Sequence, residues 1–274
     1  MEQKLRLAIL DMNAGKPNQG MRCIRDITNL YSSVFDIDEF DVRQHYQIPD
    51  TSYDVYISSG GPGNPLEGDG VWDVAWYKLV EDLWNHNLNN PYEKKYMFFI
   101  CHSFQMACHH FQLGTIARRK STSFGIMPVH LTRYAFNDPI FKYLPDPMYA
   151  VDSRDWQLIQ PNLDVFREHG ARILALEKIR TYVDHERAIM AVRFSKEFIG
   201  TQFHPEADPI GMKIYFEQKD VRENVIKTYG KEKYDTMMDR IDDPDKIELT
   251  HETVLPFFIE NAVEAIFETN AVYA

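Results

Sequence analysis

Between Leu5 and Phe111 short apolar runs alternate with segments of helical period, and that alternation leaves few folds open. Leu5 to Leu10 reads as a buried strand, ended by the polar, glycine-containing stretch Asp11 to Gly20. Ile24, Ile27, Leu30 and Val34 then recur at helical spacing, and Glu39 to Arg43 alternates like a second strand. Tyr53 to Ser59 is a third strand that stops at Gly60-Gly61-Pro62-Gly63-Asn64-Pro65. Val71, Val74, Ala75 and Leu83 predict another helix. Lys95 to Ile100 is a fourth strand and runs directly into Cys101, after which Phe104, Ala107, Cys108 and Phe111 line one helix face. Such alternation builds an α/β domain with a mostly parallel sheet and helices on both faces. Sites in such sheets gather outside the carboxyl ends of the strands, where both the glycine loop and Cys101 fall.

The middle of the chain is β-rich, with strands predicted at Met127 to Leu131, Arg172 to Leu176, Ala188 to Phe194 and Phe198 to Phe203. From Ile210 onward the character changes to charged and helical, interrupted at Asp242-Asp243-Pro244-Asp245. A last helix is expected from about Glu252 to Glu268, its apolar face carrying Val254, Phe257, Phe258, Ala262 and Ile266. Pro256 would sit in its first turns, where proline is tolerated. The expected division is residues 1–208 as one domain and 209–274 as a helical C-terminal extension packed on it. That extension would cap the active-site side or make a subunit contact, with a homodimer among the open arrangements.

Charge and cysteine content narrow the setting. A formal net charge of -11 opposes attraction to nucleic-acid phosphates and anionic membranes, so neither partner is expected. The three cysteines, Cys23, Cys101 and Cys108, are too few for the framework of a small secreted domain. Met1 to Lys4 leads into an apolar run too short for a signal sequence, and no stretch approaches the length of a membrane span. A cytoplasmic protein is the expectation.

Each of three motifs is ambiguous alone. In Phe98-Phe99-Ile100-Cys101-His102-Ser103-Phe104-Gln105 a nucleophile sits on a strand-to-helix turn, where the helix N-terminus favours a thiolate. A buried core cysteine would look the same. In Gly200-Thr201-Gln202-Phe203-His204-Pro205-Glu206, a histidine at a strand end precedes a carboxylate by two residues, which suits a base and the group that orients it. A plain loop is the competing account. Ser58-Ser59-Gly60-Gly61-Pro62-Gly63-Asn64-Pro65 lets backbone N–H groups approach a reacting carbonyl. It could equally be a tight turn. It lacks the lysine and spacing of a phosphate loop, and so does Gly15-Lys16-Pro17. Cys101, Cys108, His109 and His110 cannot converge on one metal ion, because neighbouring helical residues point about 100° apart. No metal and no cofactor are expected.

Taken together and in this order, the motifs resemble the class I, triad-type glutamine amidotransferases, over roughly residues 5 to 208. The hallmarks are a Gly-Gly-Pro-Gly loop, a Gly-x-Cys-x-Gly-x-Gln elbow and a Gly-x-Gln-x-His-Pro-Glu ending. The resemblance implies a three-layer, flavodoxin-like glutaminase fold. It also implies Cys101 as a nucleophile that forms a γ-glutamyl thioester, His204 as base and then acid, and Glu206 as its orienter. Backbone N–H groups of Gly61 and His102 would form the oxyanion hole, and Gly60 and Gln105 would hold substrate. Two departures stand out. Phe99 and Ser103 replace the elbow glycines, so Phe99 either points into the core or reshapes the pocket. Asp152-Ser153-Arg154-Asp155 falls where many members carry a Ser-His pair.

Three functions follow from this resemblance. The first is a glutamine amidotransferase that passes ammonia to a separate synthase subunit. The second is a stand-alone γ-glutamyl peptidase or related cysteine hydrolase acting on a γ-glutamyl small molecule. The third is a catalytically silent binding or regulatory protein, which an intact Cys101, His204 and Glu206 argue against. His102 offers itself as an alternative base, a role His204 fills better.

Overall fold

The computed structural model describes residues 4–16, 18–179 and 186–273; Pro17 and the charged start through Gln3 lie outside the described residues. The first elements are β1 (Leu5–Asp11), α1 (Gln19–Asn29), β2 (Phe35–Asp41), β3 (Val55–Ser58), α2 (Trp72–Asn89), β4 (Tyr96–Ile100) and α3 (His102–His110). They are followed by β5 (Thr115–Leu131), β6 (Met148–Ile159), α4 (Leu163–His169), β7 (Arg172–Glu177), β8 (Ile189–Arg193) and β9 (Phe198–Thr201). Four helices end the chain: α5 (Pro209–Glu217), α6 (Lys219–Tyr229), α7 (Lys231–Ile241) and α8 (Ile247–Tyr273).

The fold is α/β, and its sheet has two unlike halves. Strands run in the order β2-β1-β3-β4-β9-β8-β6-β5-β7. From β2 to β9 every pairing is parallel, and from β9 onward every pairing is antiparallel. Because β7 also pairs with β8, strands β8, β6, β5 and β7 close on themselves like a small barrel. The expected mostly parallel sheet therefore describes only the first half. Parallel strands need crossover helices, which the stretch from Leu5 to Phe111 supplies, whereas the middle of the chain turns back in hairpins.

Alternation along β4 explains how the parallel half is packed. Met97 and Phe99 join a core with Trp72, Trp76 and Phe104 of α2 and α3, while Phe98 and Ile100 join one with Ile24 of α1 and Phe258 of α8. Period-two side chains thus feed two separate cores, one on each face. The exposed face of the β5–β6 hairpin is covered by a third cluster, in which Ile126 and Val151 meet Phe216, Tyr234 and Met237 of α5 and α7.

Several expected elements shift. β2 starts at Phe35, ahead of the expected Glu39, because only Phe35 of this edge strand is fully buried and the rest lacks an apolar pattern. Leu30 caps α1 and is 77% exposed. The buried face of α2 is built on Trp72, Trp76, Leu79, Val80 and Leu83, and Val71 and Val74 face solvent. Pro256 lies in the interior of α8 rather than its first turns, since the helix begins at Ile247. An interior proline costs about 3 kcal/mol. Burial of Val254, Leu255, Phe258, Ile259 and Ala262, at roughly 1.5–3 kcal/mol per large apolar side chain, outweighs it.

Candidate functional site

Three neighbouring strands, β3, β4 and β9, deliver the three motifs to one place. β4 ends at Ile100 beside Thr201 of β9, and Cys101 N donates to Thr201 O at 2.8 Å. Cys101 follows with φ 49° and ψ -97°, a left-handed conformation that costs a non-glycine residue of order 1–3 kcal/mol. Hydrogen bonds on both sides of the elbow hold it there. His204 extends past β9, its N–H donating to Val151 O of β6 at 2.9 Å. A Cβ added to Gly60, past the end of β3, would lie 2.9 Å from His204 Cε1 and 3.5 Å from Cys101 Cβ. Glycine is therefore required where the loop, Cys101 and His204 meet. Gly61 is equally constrained, since a Cβ there would lie 2.5 Å from Met12 O.

Side-chain contacts order the site further. His204 Nδ1 is 2.8 Å from Glu206 Oε1, and the imidazole interacts electrostatically with the Cys101 side chain. Burial lowers the His204 pKa, but the charges of Glu206 and Cys101 and the Glu206 hydrogen bond outweigh it and hold it well above the ordinary histidine value. Cys101 Sγ lies 3.8 Å from Ser153 O and receives Gln202 Nε2 at 3.7 Å. Gln202 Oε1 in turn accepts from Gln105 Nε2 at 2.9 Å, and Gln105 Nε2 also donates to Trp156 O at 3.1 Å. Gln105 is thus buried and reaches Cys101 through Gln202. His102 is buried against Trp72, and its Nε2 has no hydrogen-bond partner among the described residues. Burial, with the Arg43 charge adding to it, lowers its pKa to about 3. A neutral, enclosed imidazole is poorly placed to exchange protons, whereas its backbone N–H starts α3.

A family model for glutamine amidotransferase class-I matches residues 9–221, well over half of the chain. The chain belongs to the class I glutamine amidotransferases. Members of that family are generally cysteine-dependent enzymes. Similar solved structures include a glutamine amidotransferase from Thermotoga maritima at 16% identity and TM-score 0.69, covering 96% of this chain and 100% of that one. A glutamine amidotransferase from Methylobacillus flagellatus aligns at 12% identity and TM-score 0.56, covering 97% and 93%. The glutaminase domain of Trypanosoma brucei CTPS with bound acivicin aligns at 15% identity and TM-score 0.51, covering 74% and 86%. At these identities the likeness is one of fold. No curated protein shows significant sequence similarity to the chain.

As an amidotransferase, the chain accommodates its unusual elbow within the protein. Phe99 is fully buried and packs on Trp76, Phe194 and Phe198, so it points into the core. Its parallel neighbour is Gly200, where a Cβ would come within 3.0 Å of Phe99 Cβ. Ser103 Oγ accepts from Ile100 N at 2.9 Å and donates to Ser58 O at 2.7 Å, tying the ends of β3 and β4 together.

The stretch Asp152 to Asp155 lies on β6, and the β6 backbone faces the site through Val151 O, just before the stretch, and Ser153 O within it. Asp152 and Arg154 turn inward instead, paired at 2.9 Å. Ser123 Oγ donates to Asp152 at 2.6 Å, and Glu177 lies 3.4 Å from Arg154 and 3.2 Å from Arg119. Burial and the nearby Arg154 charge lower Arg119 to about 10. Two contributors escape sequence reasoning: Gln202, present in the histidine motif without a role, and the β6 carbonyls, which no side-chain pattern can signal.

Proposed function

We propose that the protein hydrolyses the side-chain amide of glutamine through a Cys101 thioester, releasing ammonia and glutamate. The observation that carries this reading is the convergence of Gly60, Cys101 and the His204–Glu206 pair at the ends of β3, β4 and β9. The Cys101 sulfur attacks the amide carbon, and the oxyanion forms toward the N–H groups of Gly61 and His102. Protonated His204 gives its proton to the departing nitrogen as the C–N bond breaks. Water, deprotonated by His204, then attacks the thioester; the C–S bond breaks, and glutamate leaves with the thiol restored. Glu206 holds the imidazole in one tautomer and stabilises its charged form.

The ammonia would pass to a separate synthase subunit. In this reading residues 1–208 form the catalytic unit and 209–274 a helical extension on the same domain, supported by the packing of α5 and α7 on β5–β6 and of α8 on the sheet. Helices on both faces of the parallel half support a flavodoxin-like, three-layer arrangement there. Three free thiols suit a reducing compartment, and no helix among the described residues is long and apolar enough to cross a membrane.

A second reading, a γ-glutamyl peptidase acting on another small γ-glutamyl compound, is favoured by one observation. Where many relatives carry a Ser-His pair, this chain buries Asp152 and Arg154 against each other and offers the site only a backbone carbonyl. Incubation with L-glutamine beside a Cys101→Ala control separates the readings. Ammonia and glutamate that vanish in the control support the first. A Cys101 that alkylates readily while glutamine is untouched, with turnover of a γ-glutamyl peptide, supports the second. An unreactive Cys101 removes both.

A further inference from the structure

The carboxylate of Glu206 is held in an unusual way. It is 2% exposed, its Oε1 bonds His204, and among the described residues its Oε2 has no hydrogen-bond partner. No side-chain donor fixes the second oxygen, so the position of the carboxylate depends on the backbone that carries it. That backbone is anchored from three directions. His204 N bonds Val151 O of β6. Asp208 forms an ion pair with Arg22 of α1 at 2.8 Å and caps α5 through Gly211 N. The third anchor bonds Glu206 itself: His251 Nδ1 lies 2.8 Å from Glu206 O.

His251 belongs to α8, which lies beyond residues 9–221, the stretch that the family model matches. Its neighbour Thr250 donates to Tyr149 O of β6 at 2.6 Å, two residues before the carbonyl that receives His204 N. One point on α8 thus latches both the β6 backbone and the turn bearing Glu206. A carbonyl can only accept, so Nδ1 of His251 carries the proton.

We infer that His251 is a positioning residue for the triad: by donating to the Glu206 carbonyl, the C-terminal helix sets the carboxylate against His204 and so supports the Cys101 thiolate. The inference rests on the reading of Cys101, His204 and Glu206 as a triad. A displaced carboxylate would weaken the charged imidazole and, through it, the thiolate.

The test follows the pH dependence of Cys101 alkylation by iodoacetamide, with the Cys101→Ala protein as background, in wild type and in His251→Phe, His251→Asn and His251→Gln. Glutamine turnover is measured in parallel. The amide nitrogen of asparagine can take the place of Nδ1, whereas that of glutamine reaches the place of Nε2. His251→Phe and His251→Gln should move the alkylation midpoint upward by about one pH unit and lower kcat about tenfold with little change in KM. His251→Asn should retain the wild-type midpoint and kcat. Should His251→Phe fail to fold, the Asn and Gln pair still decides. An unchanged alkylation profile in folded His251→Phe or His251→Gln overturns the inference, and so does His251→Asn behaving like His251→Gln. Wild type that alkylates normally but leaves glutamine untouched would sink the glutaminase reading alone, because the alkylation comparison needs no substrate.

Discussion

The parallel and antiparallel halves of the sheet handle polar groups in opposite ways. In the parallel half, the strands β3, β4 and β9 are buried and mostly apolar, and Gly60, Cys101 and His204 sit just past their ends. In the antiparallel half, charge runs through the strands themselves: Arg119, Asp152, Arg154 and Glu177 meet inside the closed group of β5 to β8. The first half presents these groups on an apolar platform. The second builds a wall whose backbone carbonyls, from Val151 and Ser153, face the histidine and the cysteine. A strand held by buried ion pairs cannot slip in register without exposing unpaired charge, so this arrangement places carbonyls accurately at a cost in desolvation.

If chemistry resides in the parallel half, Glu206→Gln should cost the most activity. The expected loss in kcat is about 10²–10⁴-fold with the fold intact, measured as ammonia release beside a melting curve. A variant of nearly normal rate would break the division. In the other half the largest effect should be on stability. Arg154→Met leaves Asp152 buried without its 2.9 Å partner and should cost about 3–5 kcal/mol in urea unfolding. The double replacement Asp152→Leu with Arg154→Met should recover much of that loss. If single and double variants unfold alike, the network is not acting as a paired unit.

A pH dependence contrasts the two histidines around Cys101. Burial lowers His102 from 6.5 to about 3, so between those values the unfolded chain binds more protons and stability rises with pH. Its contribution is fully present above pH 6.5 and is lost as the pH falls toward 3. His204 is raised and has the opposite sign, with stability present below the unfolded value and lost as pH rises through the folded one. His102→Phe should flatten the acid side of the urea-midpoint profile. Equal acid sensitivity in wild type and variant would mean that His102 does not titrate on unfolding.

Legibility in the sequence followed the same boundary between halves. The elements β1, α1, β3, α2, β4 and α3 could be read because burial there is apolar, and period 2 or 3.6 appears directly in the residues, whereas the edge strand β2, with only Phe35 fully buried, was legible only in part. β6 could not. Its stretch Val151-Asp152-Ser153-Arg154-Asp155 buries charged side chains, and nothing local distinguishes an aspartate destined for an ion pair from one in a loop. The first part of β5 was hidden because Arg118 and Lys120 are exposed while the Arg119 side chain between them turns inward to an ion pair, so no apolar alternation marks the strand. Pro256 was misplaced because proline is expected near helix starts, whereas packing against the sheet carries α8 past it at both ends.

The residues alone determined which side chains are candidates and in what order along the chain they follow strands, because Gly60, Cys101 or His204 coming just after an apolar run is a local fact. Only the tertiary structure decided what surrounds them. The adjacency of β4 and β9, the inward turn of Phe99 against Gly200, the link from Gln105 through Gln202, and the reach of His251 to Glu206 each join residues far apart in the chain. Such contacts form only when the whole domain closes, since their partners are specified by packing and not by neighbours in sequence.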